Sequence, residues 1–396
     1  MSHPAIYTYT DLIQHAVNFL GGSAAAAGQA QVRLAIQDAY RELTELRRWN
    51  YLLRMYRIIA PEPYSTGTIT YDHTGGSSER LITLSGGTFP SWAGSGAIRI
   101  ANRTHKVTSR LSSTTLQLDG SYGMNPGDDV SSGTSYELFQ RIFSLPTDFI
   151  TLDMPYGSDR WKLGRYRYVH PNDFLAQERD GDGTGHPYLF TVMDDPDNPG
   201  RMALHTWSAQ SASADLDFIY YRRPRQMVLD GYKTAHQVGT VSTAASTTLT
   251  GSSTAFSSTM VGSVVRVSDD ARRTPTGIDG IYPFAEERFI SAYSSATSLT
   301  VGSAFSLTQS GKAYVIADYA DVDPSMITAL KRGIEKHLAT LYNMRNKAEQ
   351  VQLSDLEFKK AASVDASRTY KPREPGDGEL NSSRPPETAP PDDVGA

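Results

Sequence analysis

The sequence has no cysteine, which removes disulfides, cysteine metal sites and thiol nucleophiles from consideration. No apolar run reaches the length of about 18 residues that spans a membrane, and nothing near Met1 reads as a secretory leader. An excess of positive charge is missing too: 38 Lys and Arg stand against 43 Asp and Glu, a net charge of −5. A surface built to neutralise phosphates is therefore not expected, with local patches left open. These absences describe a soluble protein made in a cytosol. Its 396 residues suit two or three folding units, and 39% apolar with 20% charged residues suffice for a core.

Helical periodicity is clearest from Ala27 to Leu53. Val32, Ile36, Ala39, Tyr40, Leu43 and Leu46 recur at spacings of three and four, and Trp49, Leu52 and Leu53 close the series. Gln37, Asp38, Arg41, Glu42, Glu45, Arg47 and Arg48 occupy the other faces. No Gly or Pro interrupts Gln29 to Leu53, so the spacing predicts a helix of roughly 37 Å at about 1.5 Å per residue. Its stripe needs partners. A short helix offers one, with Thr10 as N-cap, Leu12, Ile13, Ala16, Val17 and Leu20 as its apolar face, and Gly21 and Gly22 ending it. Another starts at Asp323 and Pro324 and carries Met326, Ile327, Leu330, Ile334, Leu338 and Leu341 as far as about Lys347. A weaker helical stretch covers residues 353–364.

From Thr66 onward short β-type runs alternate with Gly, Ser, Asn and Pro clusters, the pattern of a small antiparallel barrel or sandwich. The same text returns later in the same order. Gly67 and Ile69 correspond to Gly239 and Val241, Leu84 to Leu249, and Phe89 to Phe256. Ile98, Arg99 and Ile100 correspond to Val265, Arg266 and Val267, the run from Val107 to the run from Ile290, and Tyr136 to Tyr314. A duplicated β module follows. Its second copy carries an insertion at roughly Ser268 to Glu286. Residues 370–396 are rich in proline and low in hydrophobicity, an extended tail.

The expected fold class is α+β: a helical bundle formed by the N- and C-terminal segments, with inserted antiparallel β modules, two of which are an internal repeat. The expected divisions are N-terminal helices (1–60), first β module (61–141), central β segment (142–238), second β module (239–320), C-terminal helices (321–369) and tail (370–396).

Sequence signals for chemistry are sparse. Asp180, Asp182 and Thr184 resemble the start of a calcium loop, but Thr191 stands where a bidentate Glu is needed. Gly311 and Lys312 lack P-loop spacing, and the nine histidines show no HExxH and no paired metal-ligand spacing. No catalytic residue, metal or cofactor is expected. Arg48, Trp49 and Tyr51, and Trp161, Arg165, Tyr166 and Tyr168, are basic-aromatic runs suited to single-stranded nucleic acid or to a protein interface. For the first run, the buried end of a helix is the plainer reading. Tyr220, Tyr221, Arg222, Arg223 and Pro224 read as the end of an edge strand.

Several of these residues together resemble a known family. A short N-terminal helix precedes a long one ending in Arg48, Trp49, Asn50 and Tyr51. A β region follows that contains Leu145, Pro146, Asp148 and Phe149 and later Tyr220, Tyr221, Arg222 and Pro224. A C-terminal helix then leads into an extended tail. This order resembles the head-to-tail connector (adaptor) proteins of tailed bacteriophages, especially those beneath the portal of short-tailed phages. The resemblance implies a homo-oligomeric ring, typically of twelve copies, in the neck or tail of a virion and assembled in the host cytoplasm. Its implied partners are the portal protein, a downstream tail or nozzle protein, and genomic DNA sliding through the lumen without sequence-specific binding. No membrane is involved. On that reading Tyr370, Lys371, Arg373 and Arg384 in the tail, with Arg48, Trp49, Trp161 and Arg165, are the candidate portal or subunit contacts. The duplicated β module is the departure from the compact members of that family. An alternative of another class is a virion surface adhesin or carbohydrate-binding protein, with Trp92 stacking on a sugar.

Overall fold

A computed structural model describes residues 6–22, 26–73, 79–121, 123–153, 162–163, 166–179, 189–196, 198–207, 213–275 and 284–368. Two compact units divide the chain, residues 1–51 with 224–396 and residues 52–223. A helical bundle with β insertions does not describe this fold. Among the described residues, four sheets place 37% in strands against 28% in helices, so sheet predominates in an α+β architecture.

The first unit opens with α1 (Tyr9–Phe19) and α2 (Ala26–Glu45). Thr8, not Thr10, caps α1: its hydroxyl accepts from the Asp11 amide while the Asp11 carboxylate accepts from the Thr8 amide. Leu12, Ile13 and Ala16 of α1 and Val32, Ile36, Ala39 and Leu43 of α2 are buried. Helix α2 stops at Glu45, short of the expected Leu53. Beyond Glu45 the Trp49 side chain folds back, fully buried, and its indole N–H donates to the Leu43 carbonyl at 2.8 Å. That carbonyl belongs to the last turn, where no helical amide remains to bond it. Leu46, which the helical stripe would have buried, is 50% exposed.

The second unit begins with β1 (Leu53–Ala60). The first β module follows as β2 (Thr68–Asp72), β3 (Leu81–Ser85), β4 (Gly96–Ile100), β5 (Arg103–Arg110), β6 (Thr115–Leu118), β7 (Val130–Thr134) and β8 (Tyr136–Gln140). These form a seven-stranded sheet in the order β7-β2-β3-β6-β5-β4-β8. Inward residues at alternate positions, among them Ile69, Tyr71, Ile82, Ile98 and Leu138, make one core. The rest of this unit comprises β9 (Ile142–Ser144), β10 (Phe149–Leu152), β11 (Lys162–Leu163), β12 (Tyr166–Tyr168), α3 (Pro171–Arg179), β13 (Leu189–Asp194), β14 (Met202–Trp207) and β15 (Ala214–Arg222). They build a three-stranded sheet, β1-β15-β10, and a five-stranded sheet, β11-β12-β13-β14-β9. Both share one core, to which Ile58, Phe149, Phe190, Leu204, Phe218 and Tyr220 contribute. β15 is therefore a central strand rather than the edge strand its sequence suggested.

The chain then returns to the first unit as β16 (Thr240–Thr243), β17 (Thr248–Ser252), β18 (Val264–Ser268), β19 (Phe284–Ser295), β20 (Ser298–Val301), β21 (Gln309–Lys312) and β22 (Tyr314–Ala317). Their order, β21-β16-β17-β20-β19-β18-β22, is that of the first module strand for strand. Asp323 caps a short turn (Pro324–Met326) by accepting from the Ser325 amide, and α4 (Ile327–Leu341) and α5 (Lys347–Arg368) follow. Asn343, at φ 48°, ends α4 sooner than the apolar spacing suggested. Helix α4 packs between α2 and α5, closest at Gly333, where a Cβ would lie 3.1 Å from Phe358 and 3.2 Å from Ala39.

Candidate functional site

In the first unit, charged side chains join segments far apart in sequence. Arg266 on β18 is 1% exposed. Its guanidinium holds Asp11 with two bonds of 2.9 and 2.8 Å, reaches the Ile6 carbonyl at 2.7 Å and Glu287 at 3.2 Å, and lies over the Phe284 ring. One arginine thus secures the capping carboxylate of α1 to the second β module. Asp318, just after β22, accepts from Arg225 at 3.0 Å, Ser263 at 2.7 Å and the amides of Val228 and Leu229. The second module is therefore riveted to the helices.

Three further carboxylates tie this unit together, and each is held below the usual carboxylate range. Burial alone would raise the Glu42 carboxyl, but hydrogen bonds from Lys336 and His337 on α4 outweigh it. Burial likewise opposes ionisation of Glu335, and bonds from His15 and Arg332 override that penalty. Asp230 is desolvated yet held far down by His236, the Tyr232 amide and Arg33, the last at 2.7 Å. At the α2 end, the Asn50 side chain donates to the Asp365 carbonyl at 2.9 Å, and Arg47 lies 3.4 Å from the Asp365 carboxylate.

In the second unit, two of the short segments that carry the family resemblance meet. Phe149 stacks on Tyr220 with ring centroids 5.7 Å apart, and the Tyr220 hydroxyl donates to Asp148 at 2.9 Å. Burial and this bond push the Tyr220 phenol up to about 12. On the opposite face of the same sheet Arg57 pairs with Asp217 at 2.6 Å and Asp215 at 3.2 Å, between exposed Met55, Ile59 and Ile219.

Of the residues singled out from sequence, Trp49 is buried and Arg48 beside it is exposed. Trp161, Arg165, Tyr370, Lys371, Arg373 and Arg384 lie outside the described residues, as does the calcium-like run from Asp180. Trp92 packs against the core of the first module, and Asp148 serves Tyr220. Among the described residues, no three of His, Asp and Glu are grouped to hold a metal ion, and no helix is long and apolar enough to cross a membrane. Sequence reasoning passed over Arg266, Asp11 and the free face of β1. Only the first left a trace, an arginine at the same place in both copies of the repeat. Comparison with protein-family models, curated proteins and solved structures finds no match to this chain.

Proposed function

We propose that this chain is a structural virion protein, a connector that forms a homo-oligomeric ring between the capsid portal and the tail and lets DNA pass through its lumen. The observation that carries the reading is the order of the three short motifs along the chain, two of which pack on each other through Phe149, Asp148 and Tyr220. The pattern of charge adds support. Among the described residues, buried and half-buried ionic groups join helix to helix and helix to sheet, as a stiff body needs. A closed ring uses two different faces of each subunit, and a mildly acidic protein suits a channel in which DNA slides instead of being gripped. The tail, residues 370–396, has the composition of a segment that orders on a partner, here the portal or a neighbouring subunit.

Native mass spectrometry of the protein, alone and after mixing with its portal, tests this. The expected result is a complex of about twelve copies on the portal. A monomer or small oligomer that ignores the portal would overturn the proposal.

A further inference from the structure

The turn that joins α4 to α5 contains neither of the residues that ordinarily break a helix. No glycine or proline occurs after Gly333 as far as Arg368. The Met344 amide donates to the Ala339 carbonyl at 2.9 Å and the Asn343 amide to the Thr340 carbonyl at 3.3 Å. This is a helix ending in which glycine normally takes the left-handed position. Asn343 takes it here, at φ 48°, where a side chain is disfavoured. Residues 342–346 therefore have a competing state, further helix, in which α4 and α5 become one rod over residues 327–368. That rod would be roughly 60 Å long.

Helix α5 is specific for its groove and yet lightly held in it. Its buried residues are Gln350, Ser354, Phe358, Ala361 and Asp365, of which only two are apolar. The Phe358 ring sits in the notch left by Gly333, with the Lys336 Nζ 5.4 Å from its centroid. Arg47 donates to the Ala362 carbonyl at 2.8 Å and reaches Asp365, whose own carbonyl accepts from Asn50. Nearer the turn the fit fails: Gln350 Oε1 and Ser354 Oγ are buried without a hydrogen-bond partner. Lifting α5 out exposes little apolar surface and returns two unpaired groups to water.

We propose that on assembly α4 and α5 straighten into a single helix, and that α5 then fills the groove of a neighbouring copy of this chain. The fit of that occupant is the one already displayed within the subunit, with Phe358 in the Gly333 notch and Asp365 beside Arg47 and Asn50. No group has to stand free beforehand, because each bond lost inside a subunit is made again between subunits. The gain lies at the turn, where Asn343 leaves the left-handed region and residues 342–346 acquire helical hydrogen bonds. Donation from each copy to the next closes into a ring. The exchange rests on the connector reading above, which requires the copies to assemble, and specifies how they are joined.

One distance decides it. The chain has no cysteine, so Thr328→Cys and Ser363→Cys place spin labels at those two positions alone. Both positions are exposed, and they flank the Gly333–Phe358 contact so as to lie across the hairpin from each other, about 10–20 Å apart. Along a straightened helix they are roughly 50 Å apart. Doubly labelled chain diluted into unlabelled chain should show the short distance as a monomer and the long one once assembled, by double electron–electron resonance. Chains carrying one label each, when mixed, should regain the short distance between subunits. Asn343→Gly favours the turn and Asn343→Ala the rod, so sedimentation velocity should find assembly weakened by the first and strengthened by the second, each about five- to tenfold. A short intrachain distance in the assembled protein, or assembly unmoved by both variants, overturns the exchange; where that assembly is a portal-bound ring, the connector reading stands. A long intrachain distance in a species that ignores the portal upholds the exchange and removes the connector reading. A chain that stays monomeric with and without the portal removes both.

Discussion

Arg266 and Arg99 stand at the same place in the two β modules and do different work. Arg99 pairs with Glu137 at 2.6 Å, a partner 37% exposed, and stacks over Phe139. Arg266 holds Asp11, and in this pair the side chains are 2% and 1% exposed. The physics of the two losses differs accordingly. Removing Arg99 frees a carboxylate that water can reach, a cost of about 1 kcal/mol for a half-buried pair plus lost packing on the ring. Removing Arg266 takes the cation away from a desolvated carboxylate that keeps its bonds from Thr8, and costs about 3 kcal/mol. Urea unfolding of Arg266→Ala and Arg99→Ala checks the ranking. Equal losses would mean that Asp11 finds water or a new donor once the arginine is gone. Replacing Arg266 and Asp11 together by apolar residues should recover part of the loss, since the second change removes the stranded charge.

The two modules are also matched bond by bond. The Tyr136 hydroxyl donates to the Thr66 carbonyl and the Tyr314 hydroxyl to the Val238 carbonyl, both at 2.8 Å. Each tyrosine meets a phenylalanine edge-on, Phe89 at 6.0 Å and Phe256 at 5.7 Å. Gly67 and Gly239, which follow the two acceptors, sit at φ 85° and 82°, and a Cβ on either would lie 2.3 Å from a carbonyl, of Ser85 or of Ser252. Tyr136→Phe and Tyr314→Phe should therefore cost alike, about 1–2 kcal/mol for a carbonyl left unpaired beside the core. Thermal melts of the two variants should show equal shifts, and a shift in only one would break the equivalence. Much of this was legible in the sequence, because glycine at a forced left-handed turn and tyrosine at a fixed offset leave a pattern that text comparison detects. The end of α2 was not legible. Helical spacing runs on through Leu46 and Trp49, and only the indole donating to the Leu43 carbonyl and the pairing of β1 with β15 reveal why the chain turns. A strand partner 160 residues away in sequence, as Asp217 is from Arg57, leaves no local sign. The status of β1 as an edge left none either.

At the scale of the molecule, both units have hydrophobic cores and carboxylates held low, Asp119 and Asp217 in the second. Those that join helices lie in the first, so the units should answer acid differently. Carboxylates that ionise more readily than usual, Glu42, Glu335 and Asp230, bind helices and the loop carrying Asp230 together in the unit formed by residues 1–51 and 224–396. The core shared by the two smaller sheets of the other unit is built from aromatic and aliphatic groups such as Phe149, Phe190, Phe218 and Tyr220. A carboxyl that ionises more readily folded than unfolded adds stability above its unfolded value, about pH 4. That stability is lost as pH falls through the folded value, because the unfolded chain then binds the extra proton. The first unit should hence lose melting temperature between about pH 5 and pH 3 more steeply than the second. Calorimetry across that range measures the shift, and peptic fragments at the same pH identify which unit has opened. Glu335→Gln should flatten the slope, since a neutral side chain has no proton to gain. Parallel shifts in both units, or a slope untouched by Glu335→Gln, would place the acid sensitivity outside the carboxylates that tie the helices together.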